Sequence, residues 1–392
     1  MKPLTVMLVA AEASGDALGA GLARALKARL GDKVRFVGVG GSRMAAEGVE
    51  SPFDIADLSI LGWVEGVKAY GRVKRRVEDA AALARREKPD VAVLIDSWGY
   101  TLRVAKALRR DFPAMPLVKY VGPQVWASRP GRAKTLAGAV DHLLAIHVFD
   151  APWFEREGLK TTFVGNNALH TDFSQADGER FRREIGAAPD DQILLVLPGS
   201  RPSEVMRMTP PFEEAIALLK RDRPNLKVAV VVADTVAEAV KGRVAGWPFR
   251  VHLVEGEAAK RDAMKASTVA LACSGTVSIE LALAGVPMVI SYRLDKLTYA
   301  LAKRIVKTTW VTLFNIAARD FVAPELIQDE ATGPKLAAAV AERLDDPALR
   351  ETQVARQYAA LDQMGRGGPD PSEAAADAVL GVLAERKLLP GG

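Results

Sequence analysis

Two strand-to-helix turns in the second half of this chain have the make-up of phosphate sites. Val269–Cys273 is an apolar run that reads as a buried parallel strand. Ser274-Gly275-Thr276 follows as a tight turn of small residues, and helical spacing then holds from Thr276 to Ala284 until Gly285 stops it. Backbone amides at such a helix start, aided by the helix dipole, suit a phosphate or diphosphate. Glu280 lies one turn in, on the face of Thr276, where a carboxylate can accept from sugar hydroxyls. The pattern recurs after Leu194–Leu197, where Gly199 and Ser200 form the turn and Arg201 adds a fixed positive charge ahead of Glu204. The structural alternatives are an ordinary α/β turn at Gly275 and a solvated Arg201–Glu204 ion pair. Two such turns in one lobe favour a phosphorylated ligand.

The first half carries a different set. Glu12, Ser14, Gly15 and Asp16 follow the first strand directly; Ser14 and Gly15 allow a ligand close to the backbone, and Asp16 is either part of that site or a helix N-cap. Asp96 closes the strand V-A-V-L-I-D and is either a general base or a turn aspartate satisfying nearby amides. His142 and His147 flank one apolar strand five apart, on opposite faces, and His170 and His252 are isolated. With no Asp-x-Asp pair, no Gly-x-Ser-x-Gly elbow and no Cys–His pairing, neither a metal site nor a covalent nucleophile is expected.

These residues need a frame, and strands alternate with helices to supply one. Strands are expected at Thr5–Ala10, Arg35–Val39, Val91–Ile95, Leu117–Val121, His142–Val148 and Thr162–Val164. Helices are expected from about Ala17 to Leu30, at Arg76–Glu87 and at Leu102–Arg110. Asn166–Asp191 reads as a polar linker. A second series has strands at Ile193–Leu197, Lys227–Val232, Arg250–Leu253, Val269–Cys273 and Met288–Tyr292, and helices from about Gly333 to Leu388 broken at Met364–Pro371. The expected fold is α/β: two Rossmann-like lobes, 1–170 and 171–365, with a cleft between them. A helical C-terminal tail, 366–392, would pack on the first lobe or on a partner. Ligands are expected at the carboxyl ends of the strands.

At 392 residues, 49% hydrophobic and 26% charged, the chain fits two globular domains. A net charge of +5 and a pI near 9.2 suit anionic ligands or an anionic membrane, and are too diffuse for nucleic acid. The single Cys273, in an apolar strand, fits a reducing compartment and a core position. The first residues read as a strand and not as a signal peptide, and no apolar run approaches the roughly 18–20 residues of a membrane span. A cytoplasmic protein is expected. Leu58–Val77 sets Leu61, Trp63, Val64, Val67 and Tyr70 beside Arg72, Lys74 and Arg75, as an interfacial helix on anionic lipid would. An amphipathic helix packed on its own lobe is the alternative, and Gly62, Gly66 and Gly71 weaken the segment as a free-standing helix.

A set of motifs in fixed order spans nearly the whole chain. They are A-E-A-S-G-D at 11–16, F-V-G-V-G-G at 36–41, M-A-A-E-G at 44–48, K-P-D-V-A-V-L-I-D at 88–96 and Y-V-G-P-Q-V-W-A at 120–127. F-V-G-N at 163–166, L-P-G-S-R-P-S-E at 197–204, S-G-T-V-S-I-E-L at 274–281, P-M-V-I-S-Y-R at 287–293 and V-T-L-F-N at 311–315 complete it. In these the chain resembles the lipid-A-disaccharide synthases, bacterial glycosyltransferases of the two-lobed GT-B architecture. It departs from the family pattern at Asp96-Ser97-Trp98-Gly99-Tyr100, where Asp-x-Pro-x-Phe is usual, and at Gly165-Asn166-Asn167, where Gly-His-Pro is usual. Both departures lie in or beside the first lobe.

The resemblance implies a metal-independent, inverting transfer without a cofactor. The donor would be UDP-2,3-diacylglucosamine, the acceptor 2,3-diacylglucosamine 1-phosphate and the leaving group UDP. Leaving-group charge falls to Arg201 with the amides around Gly199 and Ser274–Thr276, the UDP ribose to Glu280, a donor contact to Asn315 and the base to Asp96. Acylated substrates imply peripheral attachment to the inner face of the inner membrane. The oligomeric state is open, a homodimer being one option. The rivals are another UDP-sugar GT-B enzyme, such as a nucleotide-sugar epimerase or a peptidoglycan transferase, and a two-lobed binding protein without chemistry.

Overall fold

The computed structural model of the chain describes residues 3–58, 66–273, 275–295, 298–299 and 308–389, with 66–70 described by backbone alone. It divides into two compact units, Met1–Asn166 with Gly368–Gly392, and Asn167–Gly367.

The first unit runs β1 (Leu4–Val9), α1 (Ala13–Leu30), β2 (Val34–Val39), α2 (Ser42–Ala46), α3 (Gly66–Glu87), β3 (Val91–Ile95), α4 (Trp98–Asp111), β4 (Leu117–Tyr120), α5 (Arg132–Ala137), β5 (His142–Ala145), α6 (Ala151–Glu155) and β6 (Lys160–Phe163). Its six strands are parallel, in the order β2-β1-β3-β4-β5-β6. Alternation along β1 sends Met7 and Val9 to one face of the sheet and Val6 and Leu8 to the other. Both faces are covered, which is why β1 and β3 are buried throughout.

The second unit runs α7 (Gly178–Glu184), β7 (Ile193–Leu197), α8 (Pro202–Asp222), β8 (Lys227–Val232), α9 (Ala237–Val244), β9 (His252–Glu255), α10 (Glu257–Ala266), β10 (Val269–Cys273), α11 (Val277–Leu283), β11 (Met288–Tyr292), α12 (Leu313–Ala318), β12 (Glu325–Ile327), α13 (Gly333–Asp345) and α14 (Pro347–Gln363). Its parallel sheet has the order β12-β11-β10-β7-β8-β9. The last helix, α15 (Pro371–Glu385), belongs to the first unit. Asp370 caps it by accepting from the Ser372 and Glu373 amides, Ala376, Val379 and Leu383 pack with Leu22 and Leu26 of α1, and Arg29 pairs with Glu373 and Asp377. Each fully buried Val or Leu contributes roughly 1.5–3 kcal/mol, so apolar packing holds this return of the chain more firmly than the exposed ion pairs do.

Strand order fixes where ligands go. In each sheet the chain winds outward from a central strand, then reverses: between β1 and β3 in the first, between β7 and β10 in the second. At such a switch point the loops leaving the two strands part in opposite directions and open a crevice at the carboxyl ends.

Several sequence expectations need correction. The stretch 166–191 is no linker: α7 lies within it, capped by Asp177, and Phe181 and Ile185 are buried in the second unit's core. Helix α1 starts at Ala13 and takes Ser14, Gly15 and Asp16 into its first turn; these small polar residues look like loop in sequence because none of them is a strong helix former. Helix α3 starts ten residues before Arg76, at Gly66. Strand β5 ends at Ala145, which puts His147 beyond the strand, and β9 begins two residues after Arg250.

Candidate functional site

The second unit's switch point holds a cavity of about 440 Å³, within the usual range for a small-molecule site. Three strand-to-helix turns line it: Pro198–Arg201 before α8, Gly256 and Glu257 opening α10, and Gly275 and Thr276 before α11. Three helix starts facing one space make it favourable to anionic groups. Ser274 lies outside the described residues.

The first turn is held by its own chain. Gly199 has φ 117, and a Cβ there would sit 2.6 Å from Cβ of Glu204, so only glycine fits. Glu204 is buried; its carboxylate accepts from the Ser200 amide at 3.0 Å and from Arg201 Nη1 at 2.8 Å. The Thr235 hydroxyl donates to the Ser200 carbonyl at 2.9 Å. Glu204 therefore shapes the turn, while the Arg201 side chain stays 74% exposed with its charge at the cavity. Cys273 lies behind the turn, and burial pushes its thiol well above the ordinary range, which suits a packing role and not a nucleophile.

Glu280 lines the cavity from α11, and Lys260 of α10 stands 2.8 Å from its Oε2. Sequence reasoning missed Lys260, although the signal was present: Gly256 follows a strand and opens a helix, as Gly199 and Gly275 do. Asn315 is not among the described residues that line the cavity. It is fully buried in α12, where Nδ2 donates to the Ala323 carbonyl and Glu325 Oε1, and Oδ1 accepts from the Val322 and Ala323 amides. With both ends of the amide engaged, it ties α12 to β12.

The first unit's switch point gathers Glu12 and Ser14 after β1 with Asp96 and Ser97 after β3. Ser14 Oγ donates to Asp96 Oδ2, and Ser97 Oγ to Glu12 Oε1, each at 3.3 Å. Asp96 and Ser97 both have left-handed backbone, φ 49 and 40, a conformation worth of order 1 kcal/mol of strain per non-glycine residue. Lys119 sits beneath them: its buried ammonium donates to the Asp96 carbonyl and, at 2.8 Å, to Thr101 Oγ1. Desolvation pulls Lys119 down to about 7, against the opposing charge of Asp96. Asp96 directly follows β3, and Trp98 and Tyr100, where the chain departs from the family pattern, fall in α4; Trp98 opens that helix with the Arg132 guanidinium 5.2 Å from its ring centre.

Asp16 is buried and accepts from the amides of Gly41, Arg43 and Met44 at 2.7–3.0 Å. It caps α2, and its own helix receives no side-chain cap. A second cluster lies past the ends of β4 and β5, where Trp126 Nε1 donates to Asp150 Oδ1 at 2.9 Å and His147 stacks on Phe149. Burial raises Asp150 to about 7, opposed by the bonds from Trp126 and the His147 amide, and lowers His147 to about 4.

Residues 6–379 match the profile of the lipid-A-disaccharide synthetase family. The lipid-A-disaccharide synthase of Rhodospirillum centenum is 42% identical over 99% of this chain and 97% of its own length, and that of Paramagnetospirillum magneticum is 42% identical over 98% and 99%. The chain belongs to this family. Among solved structures, the UDP co-structure of MnaA from S. aureus superposes with a TM-score of 0.65 at 14% identity, covering 99% of this chain and 98% of that one. The glycotransferase of kitacinnamycin gives 0.63 at 17%, covering 99% and 100%. These two establish the shared fold, the GT-B architecture.

In this lipid-A-disaccharide synthetase family chain the apolar-basic segment is described only in part. Leu61, Trp63 and Val64 lie outside the described residues, as do the side chains of Val67 and Tyr70. From residue 71 onward, α3 buries Val73 and Ala80 against its own unit, while Arg72, Lys74 and Arg75 are exposed. Lys74 and Arg75 line a surface groove with Arg103, Lys106 and Arg110 of α4, three basic residues the sequence reading did not connect to it. No helix among the described residues is long and apolar enough to cross a membrane, and none of their His, Cys, Asp or Glu side chains cluster as a metal site would require.

Proposed function

We propose that the chain joins UDP-2,3-diacylglucosamine to 2,3-diacylglucosamine 1-phosphate, giving a lipid A disaccharide 1-phosphate and UDP. The observation that carries this reading is the cavity between β7 and β10, where three helix starts and Arg201 meet Glu280. Its neighbours by sequence carry the same activity in their names.

The reaction is a single displacement at the donor's anomeric carbon. As the bond to the diphosphate lengthens, negative charge grows on UDP and is met by Arg201, the Gly199 amide and the amides at Gly275–Thr276. Preorganised donors of this kind contribute roughly 2.7–4 kcal/mol each by analogy with oxyanion holes. Glu280 accepts from the ribose hydroxyls. Asp96 takes the proton of the attacking acceptor hydroxyl, with Glu12 and Ser14 beside it on the acceptor side. The protein works as a peripheral enzyme on the cytoplasmic face of the inner membrane, where the exposed basic residues of α3 and α4 meet anionic headgroups.

The test is UDP release with both lipid sugars present, with and without excess EDTA. Release that needs both sugars and survives chelation supports the reading. Loss on chelation, restored by Mg²⁺, contradicts charge stabilisation by Arg201 and amides.

A further inference from the structure

Among the described residues, the cavity's side chains include four carboxylates, those of Glu204, Asp234, Glu257 and Glu280, against two cations, Arg201 and Lys260. Glu204 is matched by Arg201. At the far side Lys260 faces both Glu257 and Glu280, with Nζ 2.8 Å from an oxygen of each. A nucleotide diphosphate drawn to the helix starts would be repelled by Glu257 and Glu280 unless their charge were offset, as the Lys260 ammonium does.

Lys260 is well placed to do more than neutralise. Its side chain is 13% exposed and rises from a helix fixed by buried Ala263 and Met264 and by Asp262, which accepts from the Asp177 amide and pairs with Arg180. Glu280 Oε2 is buried with the Lys260 ammonium 2.8 Å away, and the residue lines the cavity. Burial pulls Lys260 down, but the two glutamates outweigh it and hold the ammonium above its ordinary value. The cation therefore persists at neutral pH.

We infer that Lys260 is a positioning residue that clamps Glu280 by one carboxylate oxygen and so sets the other to accept from a ribose hydroxyl. The enzyme thereby selects a ribonucleotide over a deoxyribonucleotide diphosphate. The inference rests on the reading of this cavity as the donor site. Without the clamp, Glu280 has several rotamers and a carboxylate neighbour, Glu257, that repels it.

The experiment is calorimetric titration of UDP, 2′-deoxy-UDP and 3′-deoxy-UDP into the full chain and its Lys260→Met, Lys260→Gln, Lys260→Arg and Glu280→Ala variants, each checked for an intact melting transition. The wild type should prefer UDP over at least one deoxy analogue by about ten-fold or more, the value of a hydrogen bond to a charged group. Glu280→Ala should erase that preference. Lys260→Met and Lys260→Gln should cut it to roughly three-fold or less, with part of it returning in Lys260→Arg. A purely structural lysine would weaken all three ligands equally, so an undiminished preference in the Met and Gln variants overturns the inference. If Glu280→Ala also leaves UDP binding and preference unchanged, the donor-site reading itself fails.

Discussion

The hydroxyl of Ser14 donates to a carboxylate oxygen of Asp96 across 3.3 Å, joining the turn after β1 to the turn after β3. These strands are neighbours in the sheet and their following helices part, so the pair marks the first unit's switch point. Asp96→Asn keeps the size and most of the bonding of the side chain but removes its basicity. Turnover should fall by about 10²–10⁴-fold, the usual loss for a general base, while UDP affinity in the other unit holds. Near-normal turnover in this variant would move the role to Glu12, the adjacent carboxylate.

Asn315 should matter to stability and not to the donor. Asn315→Ala strands the Ala323 carbonyl and the Val322 and Ala323 amides inside the second unit. A buried group left unsatisfied costs about 1–3 kcal/mol, so the denaturation midpoint should drop clearly. UDP affinity measured well below that midpoint should stay within about two-fold of wild type, a change of some 0.4 kcal/mol. A large loss of affinity in a variant of normal stability would restore Asn315 to the donor site.

The basic face of α3 gives a lipid prediction. Reversing Arg72, Lys74 and Arg75 to glutamate should weaken binding to anionic vesicles by about 1 kcal/mol per residue, and the wild-type binding should fall with salt. Vesicle flotation is the readout. Wild-type binding indifferent to both lipid charge and salt would make this an ordinary solvated helix face.

Asp150 gives a pH prediction. Its folded value of about 7 lies above the unfolded value near 3.8, so between these the native state holds the proton more tightly and Asp150 makes stability fall as pH rises. His147 acts oppositely: its folded value of about 4 lies below 6.5, so its contribution rises with pH between 4 and 6.5. Asp150→Asn should therefore make the stability–pH slope between pH 4 and 7 more positive, by up to about 1.4 kcal/mol per pH unit. Urea denaturation across that range measures it, and an unchanged slope would contradict the buried, protonated carboxyl.

Much of the second unit was legible in the sequence because its strands are buried on both faces: Ile193–Leu197, Lys227–Val232, Val269–Cys273 and Met288–Tyr292 are largely apolar runs. Gly199, Arg201, Gly275, Thr276 and Glu280 were legible by their spacing and do line one cavity. Less legible were residues whose hydrogen-bond partners lie at a distance along the chain. Asp16 is claimed by amides 25–28 positions away, and Asn315 by the strand edge that follows its helix. Lys119 looks like a surface lysine until its burial beneath Asp96 is seen. The helix α7 was hidden because its apolar contribution, Phe181 and Ile185, is too short to show a period.

The most direct measurement is mass analysis of the products when the purified chain is incubated with UDP-2,3-diacylglucosamine and 2,3-diacylglucosamine 1-phosphate. The account predicts a tetraacyl disaccharide 1-phosphate and UDP in equal amounts, with neither formed when one lipid sugar is left out. Consumption of the UDP-sugar without the disaccharide, whether by epimerisation or by release of the free sugar, would contradict it.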